Sequence, residues 1–246
     1  MLHTIFWFTY FWLYLIVVCP LLLWAKLLRR YGQSQRHHAL VSSVIQNWAR
    51  RLLRAAGANI TVIGLENLPS DDVAAVYVSN HQGYFDIPLV LGHLGGVKGL
   101  VSKKEIQKLP MIRSWMQELG CVFIDRDNAR ASLNALNLAA ERVQQGFPMV
   151  IFPEGTRSKD GNVAEFKAGA FRIAQKNHAP VVPFFIEGTG NLLERNGYRI
   201  KPAPVIIGIL PMIDTSGYTK EDWKALPALA EMHVREALAQ HRNSLL

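Results

Sequence analysis

Apolar and polar positions divide the chain into three regimes. Residues 5–25 form a run of 21 residues without a charge, among them Phe6, Trp7, Phe8, Phe11, Trp12 and Trp24, long enough to cross a bilayer. Pro20 can kink a helix there, and so many aromatics suit an interfacial helix as well as a span, so both arrangements stay open. Met1-Leu2-His3 lacks the basic start of a secretory signal, and no small-x-small cleavage site follows the run. The second regime, residues 39–56, places Leu40, Val41, Val44, Ile45, Trp48, Leu52 and Leu53 at helical spacing and stops at Gly57. This helix fits a membrane surface or a core. Beyond it, short apolar runs alternate with helical patterns, which predicts an α/β domain over residues 58–246, a sheet covered by helices. Strands are expected at 60–63, 74–79, 99–102, 121–124, 149–152, 181–186 and 205–209. Helices are expected near 87–94, 112–119, 130–145, 168–177 and 220–239.

Charge sharpens the division at residue 57. Of 246 residues, 50% are hydrophobic and the formal net charge is +8, a composition that excludes disorder. The first 65 residues hold seven basic side chains and no acid, leaving 20 basic against 19 acidic residues in the remainder. The basicity therefore belongs to the N-terminal segment and does not describe a nucleic-acid face spread over the fold. Lys26, Arg29, Arg30 and Arg36, next to the apolar run, match an anionic lipid surface and put the body on the cytoplasmic side. Residues 1–57 thus read as a membrane-associating two-helix element. Two cysteines, Cys19 and Cys121, cannot make a disulfide framework or a structural zinc site.

Polar residues cluster where three predicted strands end, the usual place for chemistry in an α/β sheet. The first cluster is Asn80-His81-Gln82-Gly83-Tyr84-Phe85-Asp86. If a tight turn brings Asp86 back toward His81, the carboxylate fixes the imidazole tautomer and makes the other ring nitrogen a base. On its own, the spacing also fits an N-capping Asp86 and a satisfied loop histidine. The second cluster, Gly120 to Arg126, ends a strand in Asp125-Arg126. The third, Phe152-Pro153-Glu154-Gly155-Thr156-Arg157-Ser158, offers backbone N–H groups, a hydroxyl and a guanidinium to one anion. Gly188-Thr189-Gly190-Asn191 is too weak a motif to use. Lys103, Lys104, Lys108 and Arg113, between the first two clusters, form either a solvated helix face or a dock for an acidic donor.

The ordered blocks NHQGYFD, GCVFIDR, FPEGTRS and VVPFFI, spread over residues ~60 to ~210, resemble those of the glycerolipid acyltransferase superfamily. They are most similar to its bacterial members that acylate 1-acyl-sn-glycerol-3-phosphate. The resemblance implies a mixed sheet flanked by helices. It also implies transfer of a fatty acyl group from acyl-CoA or acyl carrier protein to the sn-2 hydroxyl of lysophosphatidic acid, giving phosphatidic acid for phospholipid biosynthesis. His81 and Asp86 would then be catalytic, with the imidazole as general base. Arg126 and Arg157 would hold the acceptor's phosphate, with Glu154, Gly155 and Thr156 shaping that site, and the charges of Lys103 and Lys104 would suit contacts to the donor. No metal or cofactor is implied beyond the acyl-thioester co-substrate. One departure stands out: the family usually reads NHxSxxD, and here Gly83 replaces the serine.

The implied location is the bacterial inner membrane, with the catalytic domain on its cytoplasmic face. An apolar tunnel or groove opening at the N-terminal helices is expected, and loss of residues 1–30 should harm activity on bilayer lipid far more than folding of the body. Other acceptors, a different lysophospholipid or a lyso-aminolipid, fit the same residues. So does a different class, a metal-dependent phosphohydrolase using His81, Asp86 and Glu154, which would need further converging ligands. A non-enzymatic membrane scaffold would leave the three clusters without a purpose.

Overall fold

The computed structural model describes residues 1–70, 73–96, 98–158 and 160–244. Its centre is a seven-stranded sheet in the order β1-β7-β6-β2-β5-β3-β4. The strands are β1 (Ala58–Ile63), β2 (Val76–Ser79), β3 (Gly99–Lys103), β4 (Val122–Ile124), β5 (Met149–Ile151), β6 (Val181–Glu187) and β7 (Ala203–Ile209). All pairs are parallel except β6 with β7, so the sheet is mixed. The central strands β2, β5 and β6 are buried almost throughout, because helices cover both faces and each strand is a continuous apolar run. Edge strand β1 instead alternates half-buried with exposed positions.

Two hydrophobic clusters lie on the two faces. One joins Tyr77, Val150, Val182 and Phe184 to the N-terminal helices α1 (Leu2–Val17), α2 (Cys19–Arg30) and α3 (Ser34–Ala56), and to α4 (Asp86–His93) and α5 (Pro110–Glu118). The other packs Val76, Val78, Met149 and Phe185 against α6 (Ala129–Gln144), α7 (Arg172–Gln175) and α8 (Lys220–Asn243). Helix α8 begins with a capping box in which Thr219 and Asp222 satisfy each other's backbone N–H groups. All seven strands fall where the apolar runs place them. Residues 168–177, expected as one helix, are a 3-10 turn, Ala168–Phe171, followed by the single turn of α7.

The 21-residue apolar run is not one straight helix. It is shared between α1 and α2, which are bent by 43° at Val18, with Pro20 in the first turn of α2. No single helix among the described residues is long and apolar enough to cross a membrane; the bent pair passes that test only together. Trp7, Leu15, Val18, Leu22 and Ala25 turn inward and join the core. Phe6, Trp12, Ile16, Val17, Leu23 and Trp24 face outward and are exposed.

Helix α3 resolves the choice that its sequence leaves open. Val41, Val44, Ile45, Ala49, Leu52 and Leu53 are buried in the core, so its apolar stripe packs on the body and not on a lipid surface. Arg50 Nε donates to the carbonyl of Gly92 in α4 at 2.7 Å. A polar tie supplements this packing. Buried His37 Nε2 lies 2.9 Å from Glu118 Oε2 in α5, and Arg29 Nη2 lies 3.3 Å from the other oxygen. Gly57 ends α3 in the left-handed conformation, φ 78°.

The N-terminal helices therefore share the core that also holds the body together, so residues 1–30 contribute to folding as well as to the cavity wall. Trp7 shows why: the residue is 7% exposed, its ring meets the Phe85 ring at a tilt of 56° with centroids 5.1 Å apart, and it donates Nε1–H to the Leu52 carbonyl at 2.9 Å. Truncating a buried Trp to alanine costs ~3–5 kcal/mol. At ~2–4 °C per kcal/mol for a chain of this size, Trp7→Ala is expected to lower the thermal midpoint by on the order of 10 °C, measured by circular dichroism. An unchanged midpoint would show that α1 is only appended to the body.

Candidate active site

Five mutually parallel strands, ordered β6-β2-β5-β3-β4, end on the same side of the sheet. Their C-terminal loops carry the clusters marked in the sequence. The loop after central β2 holds His81, the loop after neighbouring β5 holds Glu154 to Arg157, and β3 ends in Lys103. Arg126 follows β4, and Thr189 follows β6. Residues more than a hundred positions apart thus meet because their strands are adjacent.

The first loop is a tight turn closed by its own carboxylate. Asp86 is the first residue of α4, yet it does not cap that helix; it reaches back into the loop. Its Oδ2 lies 2.5 Å from His81 Nδ1 and accepts the backbone N–H groups of Gln82 at 2.6 Å and Gly83 at 3.0 Å. Its Oδ1 accepts the Thr189 hydroxyl. Asp86 and Thr189 are fully buried. A carboxylate is acceptor-only, so Nδ1 carries the imidazole proton and Nε2 is left as the basic nitrogen. The ring stacks on Phe152 at 4.2 Å, nearly parallel at 17°, and lines the large cavity.

The neighbouring loops lock the turn from both sides. Asn80 makes two bonds of 2.9 Å to the backbone of Ile186, one donated and one accepted, and Gly188 N–H donates to Gln82 Oε1 at 3.0 Å. On the β5 side, His81 N–H donates to Glu154 Oε1 at 3.0 Å, and the His81 carbonyl accepts from Ser158 N–H at 2.7 Å. Glu154 thus sits behind the histidine backbone and away from the cavity wall. Burial pushes its carboxyl up to about 7, with the Asp86 charge adding to the rise and the N–H groups of His81 and Ala164 opposing it. Its Oε2 is buried without a hydrogen-bond partner among the described residues.

The cavity measures about 1210 Å³ and has two unlike ends. Trp7, Phe11, Leu15, Val44, Trp48 and Trp115, from α1, α3 and α5, supply its apolar wall, as expected of a groove at the N-terminal helices. The polar lining includes His81, Lys103, Glu105, Arg126, Gly155, Thr156, Arg157 and Lys167. Arg157 lies 3.8 Å over the Tyr84 ring and 3.3 Å from Glu194 Oε1. Partial desolvation and the charge of Arg157 lower the Arg126 pKa, with Glu105 opposing them. These two guanidinium groups, one paired with Glu194 and the other influenced by Glu105, are groups of the kind that can receive an anion.

Of the residues marked from sequence, Lys104 does not line this cavity. Its ammonium pairs with Asp125 Oδ2 at 2.7 Å, beside a separate surface groove formed with Glu105, Gln107 and Lys108. Desolvation pushes the Cys121 thiol up to about 12, away from the thiolate form that a nucleophile needs. His81, Asp86 and Glu154 do not assemble a metal site, and no group of three His, Cys, Asp or Glu side chains suited to a metal occurs among the described residues. Sequence reasoning gave Tyr84, inside the first cluster, no role of its own, and it missed Thr189, Lys167 and Glu194. The weak GTGN motif was the one available sign of Thr189; the others carry no local pattern.

The profile of the Acyltransferase family matches residues 59–187, and the chain belongs to that family. The chloroplastic 1-acyl-sn-glycerol-3-phosphate acyltransferase of Brassica napus is 45% identical over 130 residues, covering 53% of this chain and 38% of that protein. The enzyme of the same name from Haemophilus influenzae is 27% identical over 201 residues, 80% of this chain and 81% of that one. Thus the chain spans less than half the length of the chloroplast relatives and most of the bacterial one. Among solved structures, the 1-acyl-sn-glycerophosphate acyltransferase PlsC of Thermotoga maritima superimposes with a TM-score of 0.86 at 28% identity, covering 98% of this chain and 95% of that one.

The site makes a prediction about pH. Glu154 is an acid whose pKa is raised on folding, from 4.5 to about 7. The folded state keeps a proton that the unfolded chain releases, so this contribution is complete below pH ~4.5 and lost as pH rises through ~7. The linkage amounts to ~3 kcal/mol at most. The thermal midpoint of the native chain relative to Glu154→Gln should therefore fall by several degrees between pH 5 and 8. Parallel pH profiles for the two proteins would contradict this.

Proposed function

We propose that the chain transfers a fatty acyl group from a thioester, acyl-CoA or acyl carrier protein, to the sn-2 hydroxyl of 1-acyl-sn-glycerol-3-phosphate. The product is phosphatidic acid, a precursor for phospholipid synthesis. One observation carries the reading: a carboxylate-held imidazole opens onto a cavity that is apolar toward the N-terminal helices and doubly arginine-lined at its other end. A lysolipid with a phosphate headgroup has the same polarity. The names of the similar proteins support the same acceptor.

In this mechanism His81 Nε2 takes the acceptor's hydroxyl proton as that oxygen attacks the thioester carbonyl, and Asp86 stabilises the imidazolium. When the tetrahedral intermediate collapses, the carbon–sulfur bond breaks and the imidazolium returns the proton to the departing sulfur. Arg126 and Arg157 hold the phosphate at a set distance from the base, with Lys103 at the same end and Gly155 and Thr156 lining it. Glu154 positions the His81 backbone.

The outward apolar face of α1 and α2, followed by Arg29, Arg30 and Arg36, lies in the membrane surface, in one leaflet, and delivers the lipid sideways. Lifting a chain into water would cost ~0.8 kcal/mol for each CH₂. The enzyme works at the bacterial inner membrane, with its α/β domain in the cytoplasm. The groove at Lys104 and Lys108 receives the donor's acidic carrier portion.

The test is a purified-enzyme assay with a panel of lysolipids and both donor types, following labelled acyl groups into lipid. His81→Ala should lower kcat by ~10²-fold or more with the acceptor KM unchanged, whereas Arg157→Ala should raise the acceptor KM. Full turnover by His81→Ala, or a preferred acceptor without a phosphate, would overturn the reading.

A further inference from the structure

Glu194 lies outside every motif that the sequence marks, in the 3-10 turn Glu194–Asn196 of the connection between β6 and β7. Its carboxylate nevertheless reaches both active-site loops. Oε1 accepts the Tyr84 N–H at 2.6 Å and lies 3.3 Å from Arg157 Nη1. Oε2 is buried without a hydrogen-bond partner among the described residues. A Cβ added at Gly83 would stand 2.9 Å from Oε2 and 3.2 Å from both Oε1 and the carboxyl carbon. The carboxylate thus occupies the space that a side chain at position 83 would fill, and the absence of that side chain is what admits it.

Arg157 is consequently fixed on two sides, by the Tyr84 ring against its face and by Glu194 at one nitrogen. A guanidinium has five N–H donors, so one bond to Glu194 leaves others free for the cavity. Without that bond, a long side chain that is 35% exposed would sample many rotamers, and ordering it would count against each binding event. Among the described residues the hydrogen bonds and ion pairs of Glu194 go to Tyr84 and Arg157, and not to His81 or Asp86.

We propose that Glu194 is a positioning residue for the acceptor headgroup, holding Arg157 in place through the gap left by Gly83. This rests on the reading of Arg157 as the phosphate ligand. The test is steady-state kinetics on purified protein with 1-acyl-glycerol-3-phosphate in mixed micelles and the donor saturating. Glu194→Ala is expected to raise the acceptor KM about ten-fold with kcat held within about two-fold. Glu194→Gln, nearly isosteric and with an unchanged thermal midpoint, should raise it less, because its amide oxygen still accepts from Tyr84.

Gly83→Ser should raise KM as Glu194→Ala does, by driving the carboxylate aside, and should add nothing in the Glu194→Ala background, where the space is free. Glu194→Ala should likewise add nothing to Arg157→Ala. An unchanged KM in Glu194→Ala while Arg157→Ala raises it would overturn this inference alone. So would equal effects of Gly83→Ser in both backgrounds. An unchanged KM in Arg157→Ala would overturn the headgroup reading on which it rests.

Discussion

The buried carboxylate of Asp86 is the constraint on which the rest of the site depends. Three donors from its own loop and one hydroxyl from the loop after β6 converge on it. A fully buried carboxylate is tolerable only with such satisfaction. The loop therefore has to be tight and β6 has to lie beside β2. The same bonds fix which imidazole nitrogen is free and where it faces. Fold and chemistry are joined at this one group, because the interactions that solvate Asp86 within the protein also orient the base.

Around that point the molecule is layered by polarity. The sheet's C-terminal edge gathers the charged and hydroxyl groups, and α1, α3 and α5 provide the apolar wall. Helix α1 is divided along its length between two environments, with Trp7 and Leu15 in the core and Phe6, Trp12 and Ile16 on the outside. A helix of this kind cannot be assigned to either setting by counting apolar residues, since it is apolar all round. Helix α3 is assigned by its partners: polar groups at its flanks, including Arg50 to Gly92, tie it to the body.

Much of this was legible in the sequence. The strands were, because most are apolar runs ended by a polar loop, and so was the placing of His81, Asp86, Arg126 and residues 154–157 at strand ends, whereas the roles expected of them rest on the family resemblance. The start of α3 was not: residues 34–38 read SQRHH, and an apolar period cannot register a helix turn whose buried member is His37, hydrogen-bonded to Glu118 some 81 positions away. The bend at Val18 was foreshadowed by Pro20. Residues 168–177 have a helical apolar spacing, but the packing around Phe171 is satisfied by a tighter turn. Thr189 had only the weak GTGN motif as a sign and Glu194 had none, since their contacts arise from strand order and not from any neighbour in sequence.

The chemistry of a histidine and an aspartate five positions apart fixes only the length of the spacer between them, and leaves its four side chains formally arbitrary. In this protein none of them is. Gln82 is engaged by the backbone of Gly188, Gly83 gives room to Glu194, Tyr84 underlies Arg157, and Phe85 rests against Trp7. The spacer is a four-pin connector, each pin seated in a different stretch of chain, and losing any one of those seats would unsettle its own position between the histidine and the aspartate.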